Sequence, residues 1–296
     1  MARQNISVYA ALGANIAIAA TKFIVAAVSH SSAMGAEAVH SLVDSVNEGL
    51  LLYGIYSSNK ERDTKHPFGY GRDLYFWSFI VSVLIFNFGA GVAFVQGYIH
   101  LRNPAVPENL SWIYIVLAIS FLFEGTSFFI ALKKFKKQTD LPLWAAFRRS
   151  KDPTDFTVLF EDAAAILGLL IVFILLFIGH LTRNPYLDGC ASIAVGIILT
   201  IASVLLARET RSLLIGEGIS AETLQRITGI IQDHPAGITL QRSFSLYQSP
   251  DEVLLILILQ FPPEMKAEKL TDTIESLRKK IKEMFPRISY VVIQPE

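Results

Sequence analysis

Stretches of about 20 predominantly apolar residues recur six times along this chain, at about 6–28, 33–57, 75–99, 111–132, 156–180 and 186–207. At ~1.5 Å of rise per residue each is long enough, as a helix, to cross a hydrocarbon core ~30 Å thick. Pro104, Pro107, Pro153 and Pro185 fall in the gaps, where chain breakers belong. The third, fourth and fifth stretches are the clearest, and the second is the least apolar. Composition agrees with an α-helical membrane protein. Of 296 residues 52% are hydrophobic and 18% charged, against roughly 25% charged in ordinary globular domains, and the mean hydropathy is +0.44. The 26 basic and 26 acidic residues cancel, which points to neither a nucleic-acid nor an acidic partner. A single cysteine, Cys190, excludes an internal disulfide and a thiolate metal cluster. Met1 to Ser7 lack the basic segment and cleavage site of a secretory signal, so the first stretch is read as a retained helix.

Lys and Arg in the short loops set the orientation. Lys133, Lys134, Lys136, Lys137, Arg148, Arg149 and Lys151 follow the fourth span, Lys60, Arg62, Lys65 and Arg72 follow the second, and Arg3 precedes the first. Only Arg102 and Arg183 fall in the opposite loops. The asymmetry places both termini and the basic loops in the cytoplasm. With no transit peptide in view, the expected location is a bacterial plasma membrane, an organelle being the alternative.

The character changes after Leu206. Ala221 to Asp233 reads as an amphipathic helix with Leu224, Ile227, Ile230 and Ile231 on one side and Ser220 as N-cap. Strand-like runs follow at Gly237 to Leu246 and Glu252 to Gln260, then a helix from Lys266 to Met284 and a strand from Ile288 to Gln294. The expectation is a six-helix transmembrane domain over residues 1–212 and a cytoplasmic C-terminal α-β-β-α-β domain, a small open-faced α/β sandwich, over 213–296. So small a core favours oligomerisation.

An ionisable group inside a span costs several kcal/mol unless it is paired or faces a polar cavity. The second span nevertheless carries Glu37, His40, Asp44 and Glu48, with Asn47 beside them. Spacings of three and four put the ionisable groups on one helical face. A lone polar residue would read as packing glue between helices; a whole stripe does not. His40 and Asp44 are one turn apart, so an imidazole nitrogen and a carboxylate oxygen can meet at one cation, a donor set that suits zinc, cobalt, iron or manganese. Zinc usually takes four ligands, so a partner is expected from another span. The fifth span offers Glu161 and Asp162. Asp162 lies roughly 10 Å deep from the cytoplasmic end and Asp44 roughly 16 Å deep from the outer end, which agree to about one turn. Adjacent residues on a helix point about 100° apart; Asp162 is the preferred ligand and Glu161 a neighbouring or proton-carrying group. Glu124 in the fourth span is either a packed carboxyl, protonated or paired with Lys22 or an amide, or an extension of the ion path. Lys22 itself could instead snorkel to the headgroups.

These residues resemble those of the cation diffusion facilitator family, and most of all the branch that contains zinc transporter 9. The likeness rests on Ala36-Glu-Ala-Val-His-Ser-Leu-Val-Asp-Ser-Val-Asn-Glu-Gly, His66-Pro-Phe-Gly-Tyr-Gly-Arg, Asp152-Pro-Thr, Leu159-Phe-Glu-Asp-Ala-Ala-Ala-Ile-Leu-Gly and Asn184-Pro-Tyr-Leu-Asp-Gly, in order on the expected spans. The resemblance implies a homodimeric, proton-coupled exporter of a divalent metal that alternates access around a midplane site. Most of the family takes two ligands from span two and two from span five. Here His40, Asp44 and Asp162 match three of them, and Val158 stands at the fourth. Asn47, Glu161, Glu124 or water must complete the site. Zinc is the first expectation for the cargo; the loss of one possible histidine leaves a harder donor set that also admits manganese, iron or cobalt. Metal and protons then compete for the same side chains, and an unperturbed histidine titrates near ~6.5. No tightly bound cofactor is expected.

The C-terminal domain has one histidine, His234, and no ligand cluster, so it is expected to dimerise rather than sense metal. His66 is a candidate for guiding incoming ions, or a residue of a structural turn. Gly13, Ala14, Gly35, Ala38, Gly89 and Gly91 are expected to let helices pack and slide closely. A channel or transporter for another substrate and an intramembrane acid–base enzyme using His40 are the competing readings. No nucleophile elbow or phosphate loop supports the enzyme.

Overall fold

The computed structural model describes residues 2–137 and 142–296, except the side chains of residues 2–12, 14, 144 and 148. The side chains of Arg3, Ala14 and Arg148, used above, lie outside the described residues. The chain forms two compact units, one from Met1–Tyr56 and Phe76–Thr210, the other from Ser57–Tyr75 and Arg211–Glu296.

The first unit is helical: α1 (Ala2–Ser29), α2 (Ser32–Ser58), α3 (Asp73–Leu84), a π-wound turn (Ile85–Ala90), α4 (Gly91–Arg102), α5 (Leu110–Lys137), α6 (Leu143–Arg149), α7 (Pro153–Thr182) and α8 (Tyr186–Ile215), of which the last two residues of α2, the first three of α3 and the last five of α8 belong to the second unit. Among the described residues four helices are long and apolar enough to cross a membrane: the continuous Asp73–Arg102, then α5, α7 and α8. The first two helices have 28 and 27 residues, but the polar stripe dilutes α2, and α1 contributes the shorter apolar segment Asn15–Ser29. Neither the π turn nor α6 is legible in the hydrophobic pattern. A π turn shifts the helical phase by one residue without changing composition.

Helix ends follow local chemistry. Asp152 caps α7 by accepting from the Thr154 amide at 3.0 Å, with Pro153 in the first turn, a position where proline's missing N–H costs nothing. The start of α2 is capped from another helix. Asp188 of α8, fully buried, accepts from the Ser31 hydroxyl at 2.6 Å, the Ser32 amide at 2.6 Å and hydroxyl at 3.0 Å, and the Ala33 amide at 3.3 Å. A carboxylate there satisfies donors at the positive end of the helix dipole. His100 of α4 stands 3.5 Å from the same carboxylate and 3.0 Å from the Ala105 carbonyl oxygen.

Of the expected small residues Gly35 is pressed against α4, where a Cβ would collide with Gln96 Oε1, and a close backbone approach also involves a glycine pair outside the expected set. A Cβ on Gly97 of α4 would lie 2.7 Å from Ile193 Cγ1 and 2.8 Å from the Gly189 carbonyl oxygen of α8. Gly89 also faces a neighbour, Leu199, at 3.2 Å, whereas Gly13 has open space around it. Small residues therefore matter where backbones meet, which their type alone does not reveal.

In the second unit the C-terminal order is α9 (Ala221–Gln232), β1 (Thr239–Ser249), β2 (Glu252–Gln260), α10 (Ala267–Met284) and β3 (Tyr290–Pro295), the α-β-β-α-β succession expected from the sequence. Ser220 caps α9 by accepting from the Thr223 amide at 3.2 Å. β1 pairs antiparallel with β2, and β3 joins parallel to it. Val253, Leu255, Leu257 and Leu259 alternate inward onto Ile227, Ile231, Leu277 and Ile281 of the two helices, as the period of two requires. Leu254, Ile256 and Ile258 take the other face with Phe244 and Val292, which are 56% and 47% exposed.

The segment between α2 and α3 packs on this sheet. Arg62 donates to Glu252 at 2.7 Å and lies over the Tyr290 ring, and Phe68 meets the same ring edge-on. Gly71 is pressed against the Gln248 carbonyl, where a Cβ would approach to 2.7 Å.

Candidate functional site

Four helices of the first unit line a cavity of about 370 Å³. α1 gives Asn15 and Ile18, α2 gives Ser41, Asp44, Glu48 and Leu51, α5 gives Phe123, Glu124 and Ser127, and α7 gives Val158, Glu161 and Asp162. The helical period delivers this: Ser41, Asp44 and Glu48 are successive turns of one face, as are Val158 and Asp162. Asp44 and Asp162, matched in depth by residue counting, do open onto one cavity, and both carboxyls of the Glu161–Asp162 pair reach it.

His40 lies one turn before Asp44 and is buried, with Nδ1 3.4 Å from Asp44 Oδ1. Both ring nitrogens of His40, Oδ1 of Asp44 and Oδ1 of Asn47 are buried without a hydrogen-bond partner. Buried polar atoms are ordinarily satisfied, so this cluster is an exception with unused donor and acceptor capacity. The neighbouring carboxylates are engaged: Ser127 donates to Asp162 Oδ2 at 2.7 Å, Asn47 to Glu161 Oε1 at 2.9 Å and Asn15 to Glu48 Oε2 at 3.1 Å. Asn47 is thus an anchor for Glu161. Among the described residues no three His, Cys, Asp or Glu side chains converge into a ready-made metal cage. Val158, the position of the absent fourth ligand, faces the cavity with its apolar side chain.

Lys22 does not snorkel. It is fully buried and donates to Glu37 Oε2 at 3.2 Å and to Ser41 Oγ at 2.7 Å. Its carboxylate partner is Glu37 rather than Glu124, and both members of the pair lie within about two turns of the loop that joins α1 to α2.

His66 belongs to a turn. Asp63 Oδ1 accepts from the His66 amide at 2.6 Å and the Lys65 amide at 2.9 Å, and Asp63 Oδ2 accepts from the Tyr70 hydroxyl at 2.6 Å. The His66 ring lies 4.2 Å from that of Tyr70. These bonds, the Tyr70 hydroxyl first, hold the Asp63 carboxyl below the usual carboxylate range. His234 likewise sits in a turn, its Nδ1 accepting from the Ala236 amide at 3.3 Å.

A helical unit with apolar spans around a carboxylate-lined cavity, with the His40 imidazole buried beside it rather than in its wall, fits a path for cations, and the cation efflux transmembrane domain family matches residues 8–215. The chain belongs to this cation diffusion facilitator family, in the branch resembling zinc transporter 9, and is not an enzyme. It is 36% identical to the mitochondrial proton-coupled zinc antiporter SLC30A9 of Xenopus laevis over 209 residues, 70% of this chain and 37% of that protein. It is 34% identical to metal tolerance protein C4 of Arabidopsis thaliana over 77% of this chain and 50% of that protein. It is 24% identical to the manganese efflux system protein MneP of Bacillus subtilis over 96% of this chain and 92% of that protein. The first two matches span half or less of those relatives' own lengths.

Proposed function

We propose that this protein exports a divalent metal cation, zinc in the first place, in exchange for protons, and that His40, Asp44 and Asp162 hold the cation in transit. The observation that carries the reading is the unpartnered pair His40 and Asp44 beside the cavity that Asp162 also lines. Nitrogen and oxygen donors with free lone pairs suit a borderline divalent ion. The absence of a preassembled cage fits a carrier, which must bind its cargo and release it again. An approach of α2 and α7 completes the set, with Glu161, Glu124 or water in the place left by Val158. Imidazole must be neutral and the carboxylates ionised to bind metal, so protons arriving from the far side displace it.

Six membrane spans are part of the proposal. The lengths of α1 and α2 support it, and the polar stripe of α2 is what a span lining an ion path carries. The excess of Lys and Arg in the loops after α2 and α5 supports cytoplasmic termini. A bacterial plasma membrane is supported by the near full-length similarity to the Bacillus subtilis protein, whose cargo, manganese, is the main alternative to zinc. A homodimer is the expected assembly, and the partly exposed apolar sheet face of the second unit offers it a surface.

The test is metal flux in proteoliposomes under an imposed pH gradient, with zinc, manganese, iron and cobalt compared. Flux of one or more metals that follows the proton gradient supports the reading. Flux of none of them returns the cavity to another substrate.

A further inference from the structure

Among the polar and small side chains that face the cavity, burial rises from the Glu48 end toward the Glu37 end, while the apolar wall residue Leu51, one turn beyond Glu48, is 5% exposed. Along α2 it passes from the partly exposed Glu48 and Asp44 to Ser41, His40 and Glu37, the last fully buried. Along α7 it passes from the 36% exposed Val158 through Glu161 and Asp162 to Ala164, Ala165 and Leu169, all at most 5% exposed. On α5 the exposed Ser127 and the partly exposed Glu124 give way to Ser120 at 0%, and on α1 the exposed Asn15 gives way to Ala19 at 2% and Lys22 at 0%. The cavity is open at the Glu48 end and shut at the Glu37 end.

What stands at the shut end is an ion pair. Among the described residues Lys22 is the one buried Lys or Arg. Its ammonium bridges Glu37 Oε2 and Ser41 Oγ, and Ser41 is itself a cavity wall. The second oxygen, Glu37 Oε1, has no partner and rests on α7, 2.9 Å from where a Gly168 Cβ would be. The pair therefore ties α1 to α2 and wedges α2 against α7 six residues beyond Asp162. Hydrophobic packing would seal the spot with less desolvation cost, so a charged closure gains its justification from having to open.

We propose that the Lys22–Glu37 ion pair is the gate of the cation cavity at its closed end, toward the N-terminus of α2. Cargo leaves on that side when the pair separates. The residue roles divide accordingly: His40, Asp44 and Asp162 hold the cation, whereas Lys22 and Glu37 decide from which side it is reached. Gly168 is the seat of the closed gate. The proposal rests on the transport reading above, and its test reads accessibility separately from metal flux.

Ile18→Cys in a Cys190→Ser background places one thiol in the cavity wall at a position that is not a proposed ligand. In oriented proteoliposomes a membrane-impermeant, charged thiol reagent is applied from either side. With Lys22 and Glu37 intact, labelling from the Glu48 side exceeds labelling from the other side at least tenfold. In Lys22→Met and in the neutral double variant Lys22→Met/Glu37→Gln, which removes the lone buried charge and guards against misfolding, the two rates converge within about threefold. Lys22→Arg keeps the asymmetry. Zinc flux in the neutral double variant continues without a pH gradient. One-sided labelling that survives in the folded double variant overturns the gate. One-sided labelling of the wild type and two-sided labelling of the variants, with no flux of any metal in either, upholds the gate and overturns the cargo assignment instead, whereas two-sided labelling of the wild type overturns the gate.

Discussion

Nδ1 of His40 stands 3.4 Å from Oδ1 of Asp44, one helical turn along α2, and neither atom has a hydrogen-bond partner. Stability alone gives no reason for such an arrangement, because a buried polar atom without a partner costs about 1–3 kcal/mol. The first prediction separates stability from function. His40→Leu replaces the ring with an apolar side chain of similar volume and removes two unsatisfied nitrogens. The variant should melt no lower than the wild type, and higher by an amount equivalent to about 1 kcal/mol, while metal flux falls roughly 100-fold or more. Thermal unfolding in detergent and flux in liposomes read the two effects.

Val158 occupies the cavity wall where a fourth ligand would complete a tetrahedral site. Val158→His adds a borderline-soft nitrogen and favours zinc over manganese. The zinc-to-manganese ratio of binding constants should rise by about tenfold, equivalent to about 1.4 kcal/mol. Competitive titration of the two metals measures it, and an unchanged ratio would mean that Val158 lies outside the coordination sphere.

Asp188 satisfies two amides and two hydroxyls at the start of α2. Asp188→Ala removes the acceptor from the buried Ser31 hydroxyl and Ala33 amide and from the part-buried Ser32 amide and hydroxyl and should cost about 2–4 kcal/mol; Asp188→Asn keeps an acceptor and should cost about half as much. Because α2 carries His40 and Asp44, both variants should also weaken metal binding, Asn less than Ala. Unfolding temperatures and metal affinities of the pair give the ranking.

The turn at Asp63 carries a pH dependence. Its carboxyl is held below the usual range by the Tyr70 hydroxyl first and by the His66 amide and other bonds. A depressed folded-state value means that the turn gains stability above the ordinary carboxylate pKa, about 3.9, and loses it as pH falls through the lower, folded value. The segment should hold its shape at neutral pH and loosen only in strong acid. Tyr70→Phe should move the Asp63 titration midpoint upward, which carboxyl-carbon NMR follows directly.

Much of this was legible in the sequence because the membrane limits the choices. Apolar runs announced the helices, and the cost of charge in lipid turned Glu37, His40, Asp44 and Asp162 into candidates before any packing was known. The α-β-β-α-β order followed from periodicity and the Ser220 cap. Three things were not legible. The Lys22–Glu37 pair depends on which face of α1 meets α2, and a lone lysine near a helix end reads equally well as a snorkelling one. The capping of α2 by Asp188 joins residues more than 150 apart in the chain, beyond the reach of any local signal. The close approach of Gly97 and Gly189 needs the helix phase, which the π turn at Ile85–Ala90 alters just upstream.

The central claim is tested most directly by equilibrium zinc binding to the purified full-length protein, wild type against His40→Ala, Asp44→Ala and Asp162→Ala, at neutral pH and again in mild acid. The account predicts transmembrane zinc binding in the wild type that is released with proton uptake as pH falls, and that each of the three substitutions weakens by roughly 100-fold or more. Undiminished binding in Asp44→Ala and Asp162→Ala, with the same pH dependence as the wild type, would contradict it.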